Sequence, residues 1–320
     1  MADALKIGIA GLGTVGASLA RILVERRDML TTTCGRPIEI VAVCARDRNR
    51  DRGVDLSHVA WFEDAVALAE NTQIDVFVEL MGGAGDPAYS AVKAALSRGV
   101  HVVTANKALL AAHGVELAML AEERGCLLNY EAAVAGGIPV IKALRESLTG
   151  NTVSRVYGIM NGTCNYILTK MEKEGLSFAE CLKEAQRLGY AEADPAFDIE
   201  GNDTAHKLAI LTTLAFGNRI SADDIYLEGI SNISIEDIRA AADLGYRIKL
   251  LGVAQKTDTG IEQRVHPTIS NSPRMSDSIA TALVTPSTWA ISDSIGTMVG
   301  CTRCSMPLSV RSATPSNLMR

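Results

Sequence analysis

The chain has 320 residues, enough for two domains or one large one. Apolar residues make up 48% and charged residues 21%, an ordinary balance for a soluble globular protein. A net charge of −6 argues against nucleic acid or an anionic membrane as the main partner, and 4% aromatics leave too little for a base-stacking surface.

The start, Met1-Ala-Asp-Ala-Leu-Lys6, has neither the basic region nor the apolar region of a signal peptide. No apolar run approaches about 18 residues, so no transmembrane helix is predicted. Cysteines at 34, 44, 126, 164, 181, 301 and 304 are odd in number and unpatterned, which predicts reduced thiols in a cytoplasmic protein. Cys301-Thr-Arg-Cys304 is a lone pair spacing without a second pair and is not read as a metal or redox site.

In chain order, Leu5 to Ala10 predicts a buried strand, followed at once by Gly11-Leu-Gly13-Thr14-Val15-Gly16 and a helix from Ala17 to about Leu30. Strands are predicted at Glu39 to Cys44 and Ile74 to Leu80, the latter leading into the turn Met81-Gly82-Gly83. A helix follows at Tyr89 to Arg98, ended by Gly99, then a strand at His101 to Ala105, a helix at about Leu109 to Arg124, and a strand at Cys126 to Tyr130. Alternating strands and helices predict a Rossmann-type, doubly wound parallel α/β sheet over residues 1–131.

Past Glu131 the pattern changes. Val134-Ala-Gly136-Gly137-Ile138-Pro139 is a turn leading to a helix at Val140 to Leu148; Val153 to Met160 is a strand; Asn161 to Asn165 reads as a loop before a helix at Tyr166 to Glu174. Phe178 to Leu188 is helical, Gly189 to Pro195 is a loop, and Leu208 to Phe216 is helical. This predicts a second, α+β domain over residues 132–268. From about Ile269 a third of the residues are Ser or Thr, and neither Lys nor Glu occurs after Glu262. Residues 269–320 are therefore expected to form an atypical, poorly folded tail.

Three features carry chemistry. The glycines of the 11–16 segment allow a tight turn, a close approach of backbone to a pyrophosphate, and tight helix–strand packing, with a helix N-terminus supplying N–H donors. Past the second strand stands Ala45-Arg46-Asp47-Arg48. An Arg there suits the 2′-phosphate of NADP, so NADP or dual use is favoured over NAD alone; the alternative is a merely solvated basic loop. Finally, Asp203 and Lys207 are four residues apart at the start of a helix and so share a face. Next to a dinucleotide fold, such a pair reads as a proton-transfer group at a substrate oxygen; taken alone it would be a solvated ion pair.

The order of motifs resembles homoserine dehydrogenase from residue 5 to about residue 268. They are residues 11–16, Thr104-Ala-Asn-Lys107, Tyr130 to Pro139, Asn161-Gly-Thr-Cys-Asn165-Tyr-Ile, Gly189 to Pro195, and the Asp198 to Lys207 segment. The resemblance implies reversible, NAD(P)-dependent interconversion of L-homoserine and L-aspartate 4-semialdehyde, a step towards threonine, methionine and isoleucine. It implies Lys207 as proton donor and acceptor, Lys107 beside nicotinamide and substrate, and Asp203 and Glu192 as substrate-binding acids, Glu192 taking the ammonium group. Gly11, Gly13, Thr14, Val15, Gly16, Arg46, Gly82 and Lys107 are its cofactor-binding positions. Glu131, Val134, Gly136 and Ile138 match a monovalent-cation site, sodium by expectation, built largely from backbone carbonyls.

Family members continue beyond His266-Pro-Thr268 with more strands, a Gly-x-Gly-Ala-Gly segment and, in many, an ACT domain. Residues 269–320 carry none of these. A shifted or truncated reading frame after about Thr268 is the expectation, with the substrate and dimerisation domain incomplete; a homodimer is what the family implies, and the altered C-terminus counts against it. Two other functions compete: a dinucleotide-binding chain without turnover, and another NAD(P)-dependent amino-acid dehydrogenase.

Overall fold

The computed structural model describes residues 3–218, 221–270 and 281–286, the last as backbone only. The chain divides into two compact units: Met1–Gly150 with Asn202–Tyr226, and Asn151–Gly201 with the chain from Leu227 onwards.

The first unit runs β1 (Leu5–Ala10), α1 (Thr14–Glu25), α2 (Arg27–Cys34), β2 (Ile38–Cys44), β3 (Ala60–Phe62), α3 (Ala65–Asn71), β4 (Val76–Glu79), α4 (Ala88–Ser97), β5 (His101–Thr104), α5 (Lys107–Glu123), β6 (Leu128–Asn129) and the short α6 (Val140–Lys142). Its six strands form one sheet in the order β3-β2-β1-β4-β5-β6, with every pairing parallel. The central strands are buried on both faces, as their unbroken apolar runs require. Ile7, Ile9, Leu12, Leu23, Val43, Val59 and Val78 form one core cluster here. Strand order reverses direction beside β1, so the C-terminal ends of β1 and β4 border the crevice where doubly wound sheets bind ligands.

The second unit comprises β7 (Val153–Ile159), α7 (Gly162–Glu174), α8 (Phe178–Arg187) and the single turn α9 (Ala196–Ile199). The chain then supplies α10 (Asn202–Phe216), which belongs to the first unit and packs on α5. It continues through β8 (Tyr226–Leu227), α11 (Ile235–Asp243), β9 (Arg247–Thr257), β10 (Gly260–Ser270) and β11 (Thr281–Pro286). The second sheet has the order β11-β7-β9-β10-β8; β9 pairs antiparallel with β10 and β7, and β11 antiparallel with β7. The buried Asn165 of α7 ties helix to sheet: its amide donates to the Leu250 carbonyl at 3.3 Å and accepts from the Leu250 N–H at 3.1 Å. It thereby satisfies backbone groups of β9 ahead of Gly252, the first residue of β9 that pairs with β7.

Several elements differ from the sequence expectation. The helix expected over Ala17 to Leu30 is two helices, broken at Arg26 (φ −108°, ψ 22°), with Asp28 in the first turn of the second, where a carboxylate favours the helix dipole. The helix expected over Val140 to Leu148 is one α-turn followed by a π-turn over Ala143–Ser147, closed by the Leu148 N–H donating to the Ala143 carbonyl. Asn161-Gly-Thr-Cys is not a loop: Asn161 is the N-cap, its side chain accepting from the Cys164 N–H at 2.8 Å, and the helix begins at Gly162. Elements β3, α3, α9, β8, α11, β9 and β10 are not among the elements expected from sequence, though Ser234 and Asp237 form a capping box that announces α11. Within the stretch set apart by its composition, Ile269 and Ser270 belong to β10 and Thr281–Pro286 form β11. The remainder of that stretch, with Cys301 and Cys304, lies outside the described residues. Among the described residues, no helix is long and apolar enough to cross a membrane.

Candidate active site

The dinucleotide end is shaped by three glycines with different duties. Gly11 has φ +96°, and a Cβ there would meet the Leu80 carbonyl oxygen at 2.5 Å. A Cβ on Gly16 would lie 1.9 Å from the Gly11 carbonyl oxygen, so helix α1 can pack against its own approach loop only without a side chain. Gly13 is different: a Cβ there would meet nothing within 4 Å. Gly13 is the N-cap of α1, no side chain caps it, and the first turn carries no acid. Thr14 and Val15 follow on the helix, Val15 exposed. An uncapped helix N-terminus facing open space fits a pyrophosphate.

Beyond β2, Arg46 is exposed at the head of a basic loop. Sequence reasoning missed Arg52. Its guanidinium donates to the Leu12 carbonyl at 3.3 Å and to the Asp47 carbonyl at 2.6 Å, and lies over the Trp61 ring at 5.4 Å from the centroid. It thus pins the loop that carries Arg46 to the glycine turn.

At the other side of the crevice stands Glu79, the last residue of β4 and fully buried. Its Oε1 accepts from the Met81 N–H at 2.7 Å and the Gly82 N–H at 3.1 Å; its Oε2 accepts from the Thr104 hydroxyl at 2.5 Å. The Thr104 oxygen accepts in turn from the Asn106 N–H at 3.0 Å. Asn106 donates its amide to the Gly83 carbonyl at 2.7 Å and, as N-cap of α5, accepts from the Leu109 N–H at 3.1 Å. Lys107 is therefore the first residue of a capped helix. An acid closing the apolar run Val76-Phe-Val-Glu79 is the signal that could have marked Glu79 from sequence.

Asp203 opens α10 and is 3% exposed. Its Oδ2 accepts from the Lys207 ammonium at 2.8 Å, one turn along the same helix, and its Oδ1 accepts from the Lys107 ammonium on α5. The Lys207 and Lys107 side chains are 19% and 35% exposed, so each keeps some contact with solvent. Burial pushes the Asp203 carboxyl upward, but the Lys207 charge and the hydrogen bonds from Lys107 and Lys207 outweigh it, and the group titrates below its ordinary value. Burial, with the Lys107 charge, holds the neighbouring His206 below its ordinary value, so it is neutral at pH 7.

The other expected positions are placed as follows. Glu192 is exposed in the second unit, in the loop after α8, with its carbonyl accepting from the Gln186 amide at 3.0 Å. In the same unit Asp198 accepts from the Asn161 amide at 2.9 Å. The turn from Glu131 to Ile138 lies in the first unit. The Glu131 carboxylate accepts from the Ile141 and Lys142 N–H groups at 2.8 and 3.1 Å, its carbonyl accepts from Val134 and Ala135, and the Ile138 carbonyl accepts from Val140. Val134 is buried and Gly136 exposed. Among the described residues, no group of three or more His, Cys, Asp or Glu side chains is placed to hold a metal.

A parallel sheet in this strand order, a glycine turn at its crevice and a lysine–carboxylate cluster define a dinucleotide-binding α/β protein of the dehydrogenase class. Comparison with known proteins narrows this. Residues 11–131 match the family described as homoserine dehydrogenase, NAD binding domain, and residues 139–285 match the homoserine dehydrogenase family. The homoserine dehydrogenase of Neisseria gonorrhoeae is 49% identical over 271 residues, which is 85% of this chain and 62% of that protein. That of Pseudomonas aeruginosa is 48% identical, with the same shares. The crystal structure of a homoserine dehydrogenase from Thiobacillus denitrificans superposes with a TM-score of 0.85 at 42% identity, covering 93% of this chain and 68% of that one. A putative homoserine dehydrogenase from Archaeoglobus fulgidus gives 0.79 at 32% identity, covering 92% of both chains. The chain belongs to the homoserine dehydrogenase family. It spans about three-fifths of the length of the curated relatives it matches.

Proposed function

We propose that this chain catalyses the reversible NAD(P)-dependent oxidation of L-homoserine to L-aspartate 4-semialdehyde. The observation that supports this most directly is the Lys107–Asp203–Lys207 cluster, built from two of the family-typical segments around a buried carboxylate.

When bound, the dinucleotide accepts or returns the hydride. The chain's residues manage the proton and the positions. In the reducing direction Lys207 faces negative charge developing on the substrate oxygen and protonates it; in oxidation it takes that proton back. Asp203 holds both ammonium groups on one anion, so it acts through Lys107 and Lys207 as much as on substrate. Lys107 places a second positive charge beside the reacting groups. Glu192 is proposed to pair the substrate ammonium, because a zwitterion leaving water needs a counter-charge.

Gly11, Gly13, Thr14, Val15, Gly16 and Gly82 are proposed to line the dinucleotide site, with Arg46 favouring NADP over NAD. The residues of the glycine turn fit that group: the space over Gly13 is open and the helix end behind it is uncapped. The turn at Glu131, Val134, Gly136 and Ile138 is proposed to hold a hard cation such as sodium through oxygen ligands, of which those of Glu131 and Ile138 also accept N–H groups. A cytoplasmic location and a second copy of this chain as partner complete the proposal, with the dinucleotide residues, Lys107, Asp203 and Lys207 in the first unit and Glu192 in the second.

The test is NADP- and NAD-linked oxidation of L-homoserine by the purified chain. Turnover that disappears in Lys207→Ala supports the proposal. Dinucleotide binding without turnover of homoserine would replace it with a binding-only chain, and turnover of a different amino acid with another dehydrogenase.

A further inference from the structure

We infer that Glu79 is a positioning residue that sets the dinucleotide loop and Lys107 in register with each other. This rests on the reaction proposed above. The carboxylate is fully buried in the first unit, at the end of β4. A buried ionised group without a role would be costly, since desolvating a carboxylate must be offset by donors. Among the described residues, the hydrogen bonds to the Glu79 carboxyl come from four donors: two backbone N–H groups from Met81 and Gly82, the Thr104 hydroxyl, and the Asn106 amide at 3.5 Å. In each of these bonds the carboxyl oxygens of Glu79 are the acceptors.

The donors come from two loops that no local rule connects. Met81 and Gly82 leave β4 at the crevice. Gly82 and Gly83 both have positive φ, 81° and 87°, and a Cβ on either would meet nothing within 4 Å. Their path is thus neither packed in place nor fixed by intrinsic preference. The N–H groups held by Glu79 and the Gly83 carbonyl held by Asn106 fix it instead. Thr104 and Asn106 leave β5 and launch α5, whose first residue is Lys107. One anion therefore joins the end of β4 to the first turn of α5. Shifting it moves the dinucleotide loop and the Lys107 ammonium together, and a displacement near 1 Å in a reacting group is costly.

Glu79→Gln keeps the shape but offers an N–H to the Thr104 oxygen, which already accepts from Asn106 and uses its own proton on Glu79. To accept that N–H on its second lone pair the Thr104 hydroxyl must turn its proton away from residue 79, and the charge-assisted link to α5 is lost. We expect the KM for the dinucleotide to rise at least fivefold and kcat to fall at least tenfold. Thr104→Val cuts only the α5 side and is expected to lower kcat at least fivefold, with the dinucleotide KM within twofold of wild type. If Glu79→Gln does not fold, this split in Thr104→Val carries the test. In a Lys107→Ala background, Glu79→Gln should lower kcat by less than threefold, because its path to the reaction is already removed. Wild-type kinetics in Glu79→Gln, or the same fold loss with and without Lys107, would overturn the inference. Should the wild-type chain fail to oxidise homoserine, the proposed reaction falls by itself. Glu79 is then read from NADPH affinity by fluorescence: at least fivefold weaker in Glu79→Gln supports the inference, and unchanged affinity overturns it.

Discussion

Asp203 and Lys207 stand one turn apart on α10 with a carboxylate oxygen 2.8 Å from the ammonium, and the other oxygen of the same carboxylate holds Lys107, which lies 96 residues earlier in the chain. A single buried anion thus fixes two cations drawn from different helices. The local pair alone would be worth a few tenths of a kcal/mol on an exposed face. Its burial and its third member give the cluster its chemistry.

Lys207→Ala is expected to lower kcat for homoserine oxidation by about 10²- to 10⁴-fold, the usual contribution of a positioned proton-transfer group. Dinucleotide affinity should stay within twofold, because Lys207 sits on α10 and not on the glycine turn. Steady-state kinetics with a parallel fluorescence titration of NADPH reads both.

Asp203→Asn leaves two ammonium groups facing a neutral amide. The cost lies between the limits for exposed and buried pairs, about 2 kcal/mol, since the lysines keep some solvent. The pH dependence has a definite sign. The Asp203 carboxyl titrates below its ordinary value in the folded protein, so its stabilisation is present above the unfolded pKa and is lost as pH falls through the folded one. Urea unfolding at a series of pH values from neutral down to the acid range should show the wild-type advantage over Asp203→Asn shrinking as pH drops. A constant difference would show that the charge is not the cause.

Gly13 and Gly16 should behave oppositely. Gly13→Ala places a methyl in open space at φ −72°, so the fold should keep its Tm within a few degrees while dinucleotide affinity falls at least tenfold. Gly16→Ala drives a Cβ to 1.9 Å from the Gly11 carbonyl, so the Tm itself should fall, by roughly 5 °C or more for an overpacking cost of 1–3 kcal/mol. Thermal melts with and without NADP separate the two.

Ser234→Ala removes one arm of the α11 capping box, in which the Ser234 oxygen accepts from the Asp237 N–H and Asp237 accepts back from Ser234. The second unit should lose about 1 kcal/mol in denaturant unfolding, with dinucleotide affinity unchanged.

What the sequence determined by itself was local. The strand β1 followed by glycines at 11, 13 and 16 reads as a dinucleotide turn, because only glycine tolerates φ +96° and a carbonyl at 1.9 Å. Alternating apolar strands and helices give the parallel sheet, and the four-residue spacing puts Asp203 and Lys207 on one face. Helix ends were less legible. Asn161, placed in a loop from sequence, is a cap; the break at Arg26 and the π-turn after Lys142 leave no periodic signature. Only the tertiary structure decided that Lys107 reaches Asp203, that Glu79 gathers donors from the ends of two strands, that Asn165 closes β9, and that Arg52 clamps the glycine turn. Each joins residues separated by tens of positions. Helical and strand periods carry information across a few residues, whereas burial and donor–acceptor pairing across the sheet ends exist only once the strands have found their order.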